Sequence, residues 1–434
     1  MTVAVDADAP ESDLPPGEVT PLSARRRMFL LGASATPLLL FGMAAPYLGL
    51  IGLPVVFFLK NRLHKDASFT AEFAFVCAIP LFVGFIFGFI RDRWSPFRLG
   101  DRGHLIVFGL AAAAVYAVLA LVSPSVPVLL VGGLTVTGLM QFVGSAANGL
   151  ASAVGRRHAM SGQMSTAMNI AQNLPQVIAF GLGGVLAGLL EQATSRQAAM
   201  ATFGVGAALL VAIALFGWLG PKQLFDDGEP EPVSATPWAD IKRLCAYWPI
   251  YPALLIQLLW QFGPGVGIAL QFHLANDLKA TDAQVGLWYT IYYAAFIPVY
   301  LLYGWLAQRV SLTVLMWIGA LFAVPQMAPL LLVHNATGAL WAAAAVGALG
   351  GLGQPAFFDL CIRATPRGLE GSMMMLLWSM FWIANKSGDV WGASLYDHGG
   401  FNAALVATIA VYAAIIPVLL LVPRRVTAGR DAHA

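Results

Sequence analysis

Long apolar runs, broken by short polar stretches, dominate the chain between residues 36 and 423. A helix needs about 20 mostly apolar residues to cross a hydrocarbon core about 30 Å thick. Twelve runs meet that requirement, at 36–59, 69–90, 104–123, 126–150, 161–190, 198–219, 247–274, 284–307, 311–333, 336–361, 370–396 and 401–423. The sixth and seventh are parted by 220–243, which holds Asp226, Asp227, Glu229 and Glu231 among Pro221, Pro230, Pro232 and Pro237. Such a polar, proline-rich stretch cannot bury itself and reads as a linker. The expected organisation is a disordered tail at 1–27, a helix bundle at 28–219, the linker at 220–243, a second bundle at 244–423 and a tail at 424–434. That is an all-α membrane protein with twelve transmembrane helices in two six-helix bundles.

Composition agrees with this pattern and narrows the function. Of the 434 residues, 59% are hydrophobic and only 11% charged; a soluble chain carries roughly 25% charged residues to wet its surface. An ordinary soluble enzyme and a disordered protein are both excluded. The net charge of +2 is too small to replace phosphate counterions, so no nucleic-acid partner is expected. Cys77, Cys245 and Cys361 have no C-x-x-C or histidine partner nearby and read as small packing residues, leaving no metal centre. The first 20 residues are acidic and lack the basic start and apolar stretch of a cleavable signal.

The cations set the expected orientation. With both termini inside, eighteen of the 24 lie on the inner face, including Arg25, Arg26, Arg27, Arg91, Arg93, Arg98, Arg102, Arg156 and Arg157 before the linker. Five (Lys60, Arg62, Lys65, Arg196 and Lys279) fall outside, and Lys386 lies within a helix. The positive-inside rule therefore places both ends in the cytoplasm, and the expected location is a bacterial inner membrane.

Chemistry first appears at the end of the second run, GFIFGFIRDRWSPFRLGDRGHL at 84–105. Gly84 and Gly88 share one helix face and allow a neighbouring helix to approach closely. Asp92 and Arg93 follow at the helix end, where an acid held between arginines at a bundle seam acts as a gate, or else forms surface ion pairs only. Six runs later, Gly304-x-x-x-Gln308-Arg309 echoes Gly88-x-x-x-Asp92-Arg93 without the carboxylate, as expected of duplicated halves.

These residues resemble the major facilitator superfamily, whose second and third helices are joined by a Gly/Asp/Arg loop. Within it the chain is most similar to the folate-biopterin transporter family. The likeness rests on Gly88 to Asp92 with Pro96 following, on NGLASAVGRR from Asn148, and on DLCIRATPRGLEGSMMMLLWS from Asp359 to Ser379, where Asp359, Pro366, Gly368 and Glu370 fall in the family's order. Asn148 stands where that family tends to carry Asp, and Arg102-Gly103-His104 where its loop usually reads Arg-Arg-Pro-Tyr. Trp94-x-x-Phe97-Arg98 also resembles the sugar-cation symporters. The resemblance implies folate- or pterin-like substrates, which are aromatic anions.

The eleventh run carries the sharpest local chemistry. Trp378, Ser379, Trp382, Asn385, Lys386 and Asp389 fall on one helical face roughly 120° wide. Lys386 lies near the middle of the membrane, where a cation costs at least ~2.5–3.5 kcal/mol on insertion scales. Asp389, three residues on, is its nearest local partner. The pair either fixes helix packing or binds an anionic substrate group between Trp378 and Trp382. Asp359 in the tenth run stands about where Asn148 stands in the fourth, so duplicated halves set them facing each other; Asp359 either couples protons or anchors against Arg363. Asn169, Gln172, Asn173 and Gln176 form a polar stripe that suits a cavity or interhelical bonding. Gly263, Pro264, Gly265 and Gly267 mark a helix that bends.

No G-x-S-x-G, H-E-x-x-H or nucleotide-binding loop is present, so neither an enzyme nor a cofactor is expected. The expected function is secondary active transport of a small, anionic or aromatic solute, probed at Lys386, Asp389, Trp378, Trp382, Asn385, Asn148 and Asn173. Asp359 and Asp389 are the proton-coupling candidates, and Gly88, Asp92, Arg93, Gly304 and Arg309 the gating ones. Sugar-cation symport, and a membrane assembly or pigment-handling factor that does not transport, are the alternatives.

Overall fold

The computed structural model describes residues 23–46, 49–65, 67–192, 194–225, 237–366 and 368–431. The acidic heart of the expected linker and most of the N-terminal tail lie outside these residues. The first six spans are α1 (Ala24–Ala44 and Gly49–Phe57), α2 (Ala67–Phe82 and Gly84–Arg93), α3 (Asp101–Leu121), α4 (Val126–Arg157), α5 (Ser161–Gln192) and α6 (Ser195–Leu219). After the linker come α7 (Ile250–Gln261 and Ile268–Phe272), α8 (Asp282–Ala307), α9 (Leu312–Ala323), α10 (Ala336–Gly350 and Gly353–Arg363), α11 (370–399) and α12 (401–413, extended by Ile415–Leu419). The last two are joined without a loop, separated only where Gly400 takes φ 70°, a conformation that favours glycine.

Helix ends follow local chemistry. Thr194 and Gln197 open α6, and Thr281 and Gln284 open α8, each through a reciprocal capping box. Within the first bundle α3 and α6 pack closely because Gly206 admits the ring of Tyr116 and Gly217 admits Leu105.

Three boundaries differ from the sequence expectation. The first span starts at Ala24 rather than 36, so residues 24–27 are helical and not tail. A hydropathy criterion misses this because Arg27, although charged, is buried and donates to Gln308 at 3.1 Å. The fourth span runs on to Arg157, its last turns held by Arg156 bonds described below. The ninth apolar run is α-helical only to Ala323, then narrows to a tighter turn over Ala328–Leu332 around Pro325 and Pro329.

The halves repeat each other in backbone detail. α1 and α7 are each built of two helical pieces, the first ending at Ala44 and at Gln261, and both end in a wide turn, Phe58–Arg62 and His273–Asp277. Leu63 N–H donates to Phe58 O at 2.9 Å and Lys65 N–H to Leu59 O at 2.8 Å; 215 residues later Leu278 donates to His273 at 3.0 Å and Ala280 to Leu274 at 2.8 Å. His64 and Lys279 take φ 50° and 52° at the matching position. Two sequences this different share one backbone because the six-helix unit is duplicated, as in transporters built from repeats.

The bundles meet along two seams, α2 against α11 and α5 against α8. On the side that bears the linker these seams close. Farther away, the resumed part of α1 packs on α5 and that of α7 on α11, each within its own bundle.

Candidate transport site and gate

The linker side is shut by a polar lattice built on tight helix approach. Gly88 faces Gly371 so closely that a Cβ on Gly88 would overlap the Gly371 carbonyl. This brings Asp92 to the start of α11, where its carboxylate accepts from Gly371 N–H at 3.0 Å, Ser372 N–H at 2.6 Å and Ser372 Oγ at 2.6 Å. A residue of one bundle thus caps a helix of the other, satisfying exposed N–H groups at the positive end of the helix dipole. Arg91 holds Asp92 at 2.6 Å and forks onto Asp101 at 2.6 and 2.5 Å, and Arg93 pairs with Asp240 beside the linker. Arg156 of α4 crosses the seam to Glu370 at 2.8 Å and Thr365 O at 2.7 Å.

The echo at α8 is also a close approach: Gly304 lies against Thr166 of α5. Among the described residues Arg309 forms no cross-bundle ion pair there; its guanidinium stacks on Trp305, 3.7 Å from the ring centre. Asp359 is fully buried, receives two bonds from Arg363 at 2.8 and 3.1 Å and one from Tyr303 at 3.0 Å. It anchors the linker-side end of α10 and does not face Asn148. Asn148 instead accepts from Trp378 Nε1 at 3.3 Å, across the α4/α11 contact. Duplication places the two residues at matching positions, but α10 breaks at 351–352 and turns Asp359 toward α8.

Above the gate the α11 face opens. Ser379 touches Gly84 and accepts from Phe85 N–H at 3.2 Å, and this is where the α2/α11 contact is tight. Lys386 lies seven residues, roughly 10 Å, farther along the helix. Its side chain is 48% exposed and donates to Asp389 at 3.0 Å, whose side chain is 12% exposed. Lys386, Trp382 and Trp378 lie on the helical face that carries Met375 and Ser379, which contact Gly84 and Gly88 of the first bundle. Val390, one turn beyond Lys386 on the same side of the helix, is 69% exposed, and Ile383 is 44% exposed. The break in α7 wraps Asp389: its carboxylate lies against Gly267, leaving no room for a Cβ, and Gly388 fits against Gly263. Tyr289 and Tyr293 of α8 approach Asp389, with Gln271 beside Tyr289.

Tyr289 and Tyr293 flank an aromatic ladder, with ring centres 5.1 Å from Trp288 and from Tyr292, that is not among the sequence expectations. Trp288, Tyr292, Phe296 and Tyr300 follow one another along α8 with ring centres 5.2, 4.8 and 5.4 Å apart. At its linker-side end Tyr300 accepts from Asn173 at 3.3 Å, so Asn173 joins the α5/α8 seam. The signal was present as aromatic positions at helical spacing, but the same spacing describes ordinary packing faces. The structure therefore pairs Lys386 with Asp389, sets Asp389 against Gly267 of α7, joins Asn148 to Trp378, and bonds Asp359 to Arg363 and Tyr303. Asn385 stands beside this group on α11, half-buried.

The fold is that of the major facilitator transporters, with twelve helical spans in two bundles among the described residues. Among solved structures it is similar to the human organic anion transporter MFSD10 (TETRAN), with 15% identity over 92% of this chain and 100% of that one and a TM-score of 0.62. It is equally similar to the E. coli fucose:proton symporter FucP, whose structure in the outward conformation has 13% identity, coverage of 91% and 98% and a TM-score of 0.64. A variant of FucP gives 13% identity, 91% and 99% coverage and a TM-score of 0.67. No protein-family model and no curated protein matches the sequence.

Proposed function

We propose that this chain is a secondary active transporter that moves a small anionic or aromatic solute by alternating access, coupled to protons, with the linker side facing the cytoplasm. The observation that carries it is the Lys386–Asp389 pair, held on α11 at mid-membrane with Lys386 half-exposed to a cleft that is shut on the linker side. A cation so placed is costly unless it is used. Lys386 offers an anion site, Trp382 and the α8 tyrosines offer flat faces to an aromatic portion, and Asp389 is the carboxylate that gains a proton when substrate takes its place on Lys386. Folate- and pterin-like solutes combine these two features. The concentration of arginines on the linker side supports the cytoplasmic assignment, and a closed linker side then corresponds to an outward-open state.

A sugar is the second reading, favoured by the tyrosine-rich wall and by the fold shared with a fucose:proton symporter; Asp389 then serves as a hydrogen-bond acceptor. Uptake into proteoliposomes under an imposed pH gradient, across folates, pterins, organic anions and neutral sugars, separates the two. Accumulation of an aromatic anion that collapses with the gradient is the expected result. Accumulation of a neutral sugar alone selects the second reading, and no accumulation of any solute favours a non-transporting membrane factor.

A further inference from the structure

The second copy of the gate lacks its carboxylate, and a distant part of the chain supplies one. In the first copy Asp92, at the end of α2, accepts from the N–H groups of Gly371 and Ser372, the second and third residues of α11. The matching positions in the second copy are Gln308, just past α8, and Gly162 and Gln163, the second and third residues of α5. Gln308 is engaged elsewhere, accepting from Arg27 at 3.1 Å and donating to Gly304 O at 3.3 Å. The acceptor at α5 is Asp431: it takes Gly162 N–H at 3.2 Å, Gln163 N–H at 2.9 Å and Gln163 Nε2 at 3.4 Å. Its own N–H donates to Ala307 O at 3.1 Å, so this carboxylate is moored at the end of α8, next to the residue that lost one.

The other bonds that hold this segment belong to the second bundle. Arg363 donates to Asp431 at 3.0 Å and to Gly429 O at 3.0 Å, and Thr313 Oγ1 to Thr427 Oγ1 at 2.7 Å. When the bundles rock, the segment stays with the second bundle and its grip on α5 is what breaks.

We propose that residues 424–431 form the second latch of the linker-side gate, with Asp431 capping α5 across the bundle seam in place of the carboxylate missing at 308. The proposal rests on the alternating-access reading but on no substrate, so it is tested with none. In full-length protein in liposomes, with the three native cysteines replaced, Ser165→Cys places a thiol at the shut seam, where Ser165 is fully buried and donates to Pro355 O across it. The rate of maleimide labelling from the linker side reports opening. Asp431→Ala is expected to raise it about tenfold, on the scale of a lost charge-assisted cap. Adding Gln308→Asp restores the first-copy arrangement and is expected to return the rate to within about twofold of the parent.

Asp92→Ala is the reference. If it raises labelling and Asp431→Ala does not, the second latch is overturned while the gate stands. A rise with Asp431→Ala that Gln308→Asp fails to reverse also overturns the assignment, since a packing role alone explains it. If neither variant moves the rate, the rocking gate itself fails. Proton linkage gives a second readout. Burial, reinforced by Asp359, pushes the Asp431 carboxyl up to about 6, with Arg363 and the α5 N–H groups pulling the other way. Tyr303 of α8 faces the same cluster, and Arg27 of α1 approaches it through Gln163. A carboxyl that holds its proton more tightly when buried than when released takes one up on closure, so falling pH favours the closed side between about 6 and 4. The ratio of labelling in Asp431→Ala to that in the parent, in which thiol reactivity cancels, is expected to grow over that range. A ratio that is flat or falls overturns the linkage.

Discussion

Replacement of Lys386 by alanine is expected to lower uptake of the accumulated solute by about a hundredfold or more, with the protein still folded and inserted. Removing the ammonium takes away the partner of the solute's anionic group, a charge-assisted contact of roughly 1.5–3 kcal/mol, and leaves a carboxylate without its cation. That carboxylate is Asp389, whose side chain is 12% exposed and lies against Gly267. Lys386→Arg keeps the charge but not the point geometry, and is expected to retain binding with slower turnover. The decisive comparison is Lys386→Ala with Asp389→Ala in one chain. A purely structural pair is relieved by losing both charges, and transport then returns. A pair that binds substrate and carries the proton stays inactive in the double variant. Proteoliposome uptake at equal reconstituted protein checks this, and full activity of Lys386→Ala would remove the proposed site.

The other large effect is expected at Gly88. A side chain there meets the Gly371 backbone, which cannot move without displacing the start of α11. Overpacking of a tight seam costs about 1–3 kcal/mol for modest additions, and leucine exceeds that. Gly88→Leu is therefore expected to push α2 and α11 apart, withdraw Asp92 from the N–H groups of Gly371 and Ser372, and hold the linker side open. Uptake stops because the outward-open state is no longer reached, while solute binding from the linker side persists. Gly204→Leu, at a position with open space around it, is the control and is expected to behave as the parent. If Gly88→Leu transports normally, the close approach has no part in gating.

Much of this was legible in order along the chain. The helical spans follow from local rules: hydrocarbon thickness sets run length and the helical repeat sets which residues of α11 share a face. The pairing of Lys386 with Asp389 was legible for the same reason, since three residues along a helix guarantee proximity. The Gly88/Asp92 gate was legible as chemistry but not as geometry. Nothing local says that Asp92 meets the N–H groups of Gly371 and Ser372, which lie in the other bundle.

The same limit explains the differences. Asn148 and Asp359 occupy duplicated positions, yet one bonds to Trp378 and the other pairs with Arg363, because the break in α10 has no counterpart in α4. Arg27 is accommodated in the first helix because its partners, Gln163 in α5 and Gln308 just past α8, lie far along the chain. Asp431 carries no sequence signal at all as a gating residue; its role exists only where α5, α8 and the segment after α12 converge. The sequence by itself determined that this is an all-helical membrane protein of the fold described, and that Lys386 and Asp389 lie within reach of each other on α11. Which groups close the gate, and which side of the cleft is shut, only the tertiary structure decided. Helix formation and membrane insertion are set by residues a few positions apart, whereas the seam is made by residues hundreds of positions apart that meet only when the bundles pack.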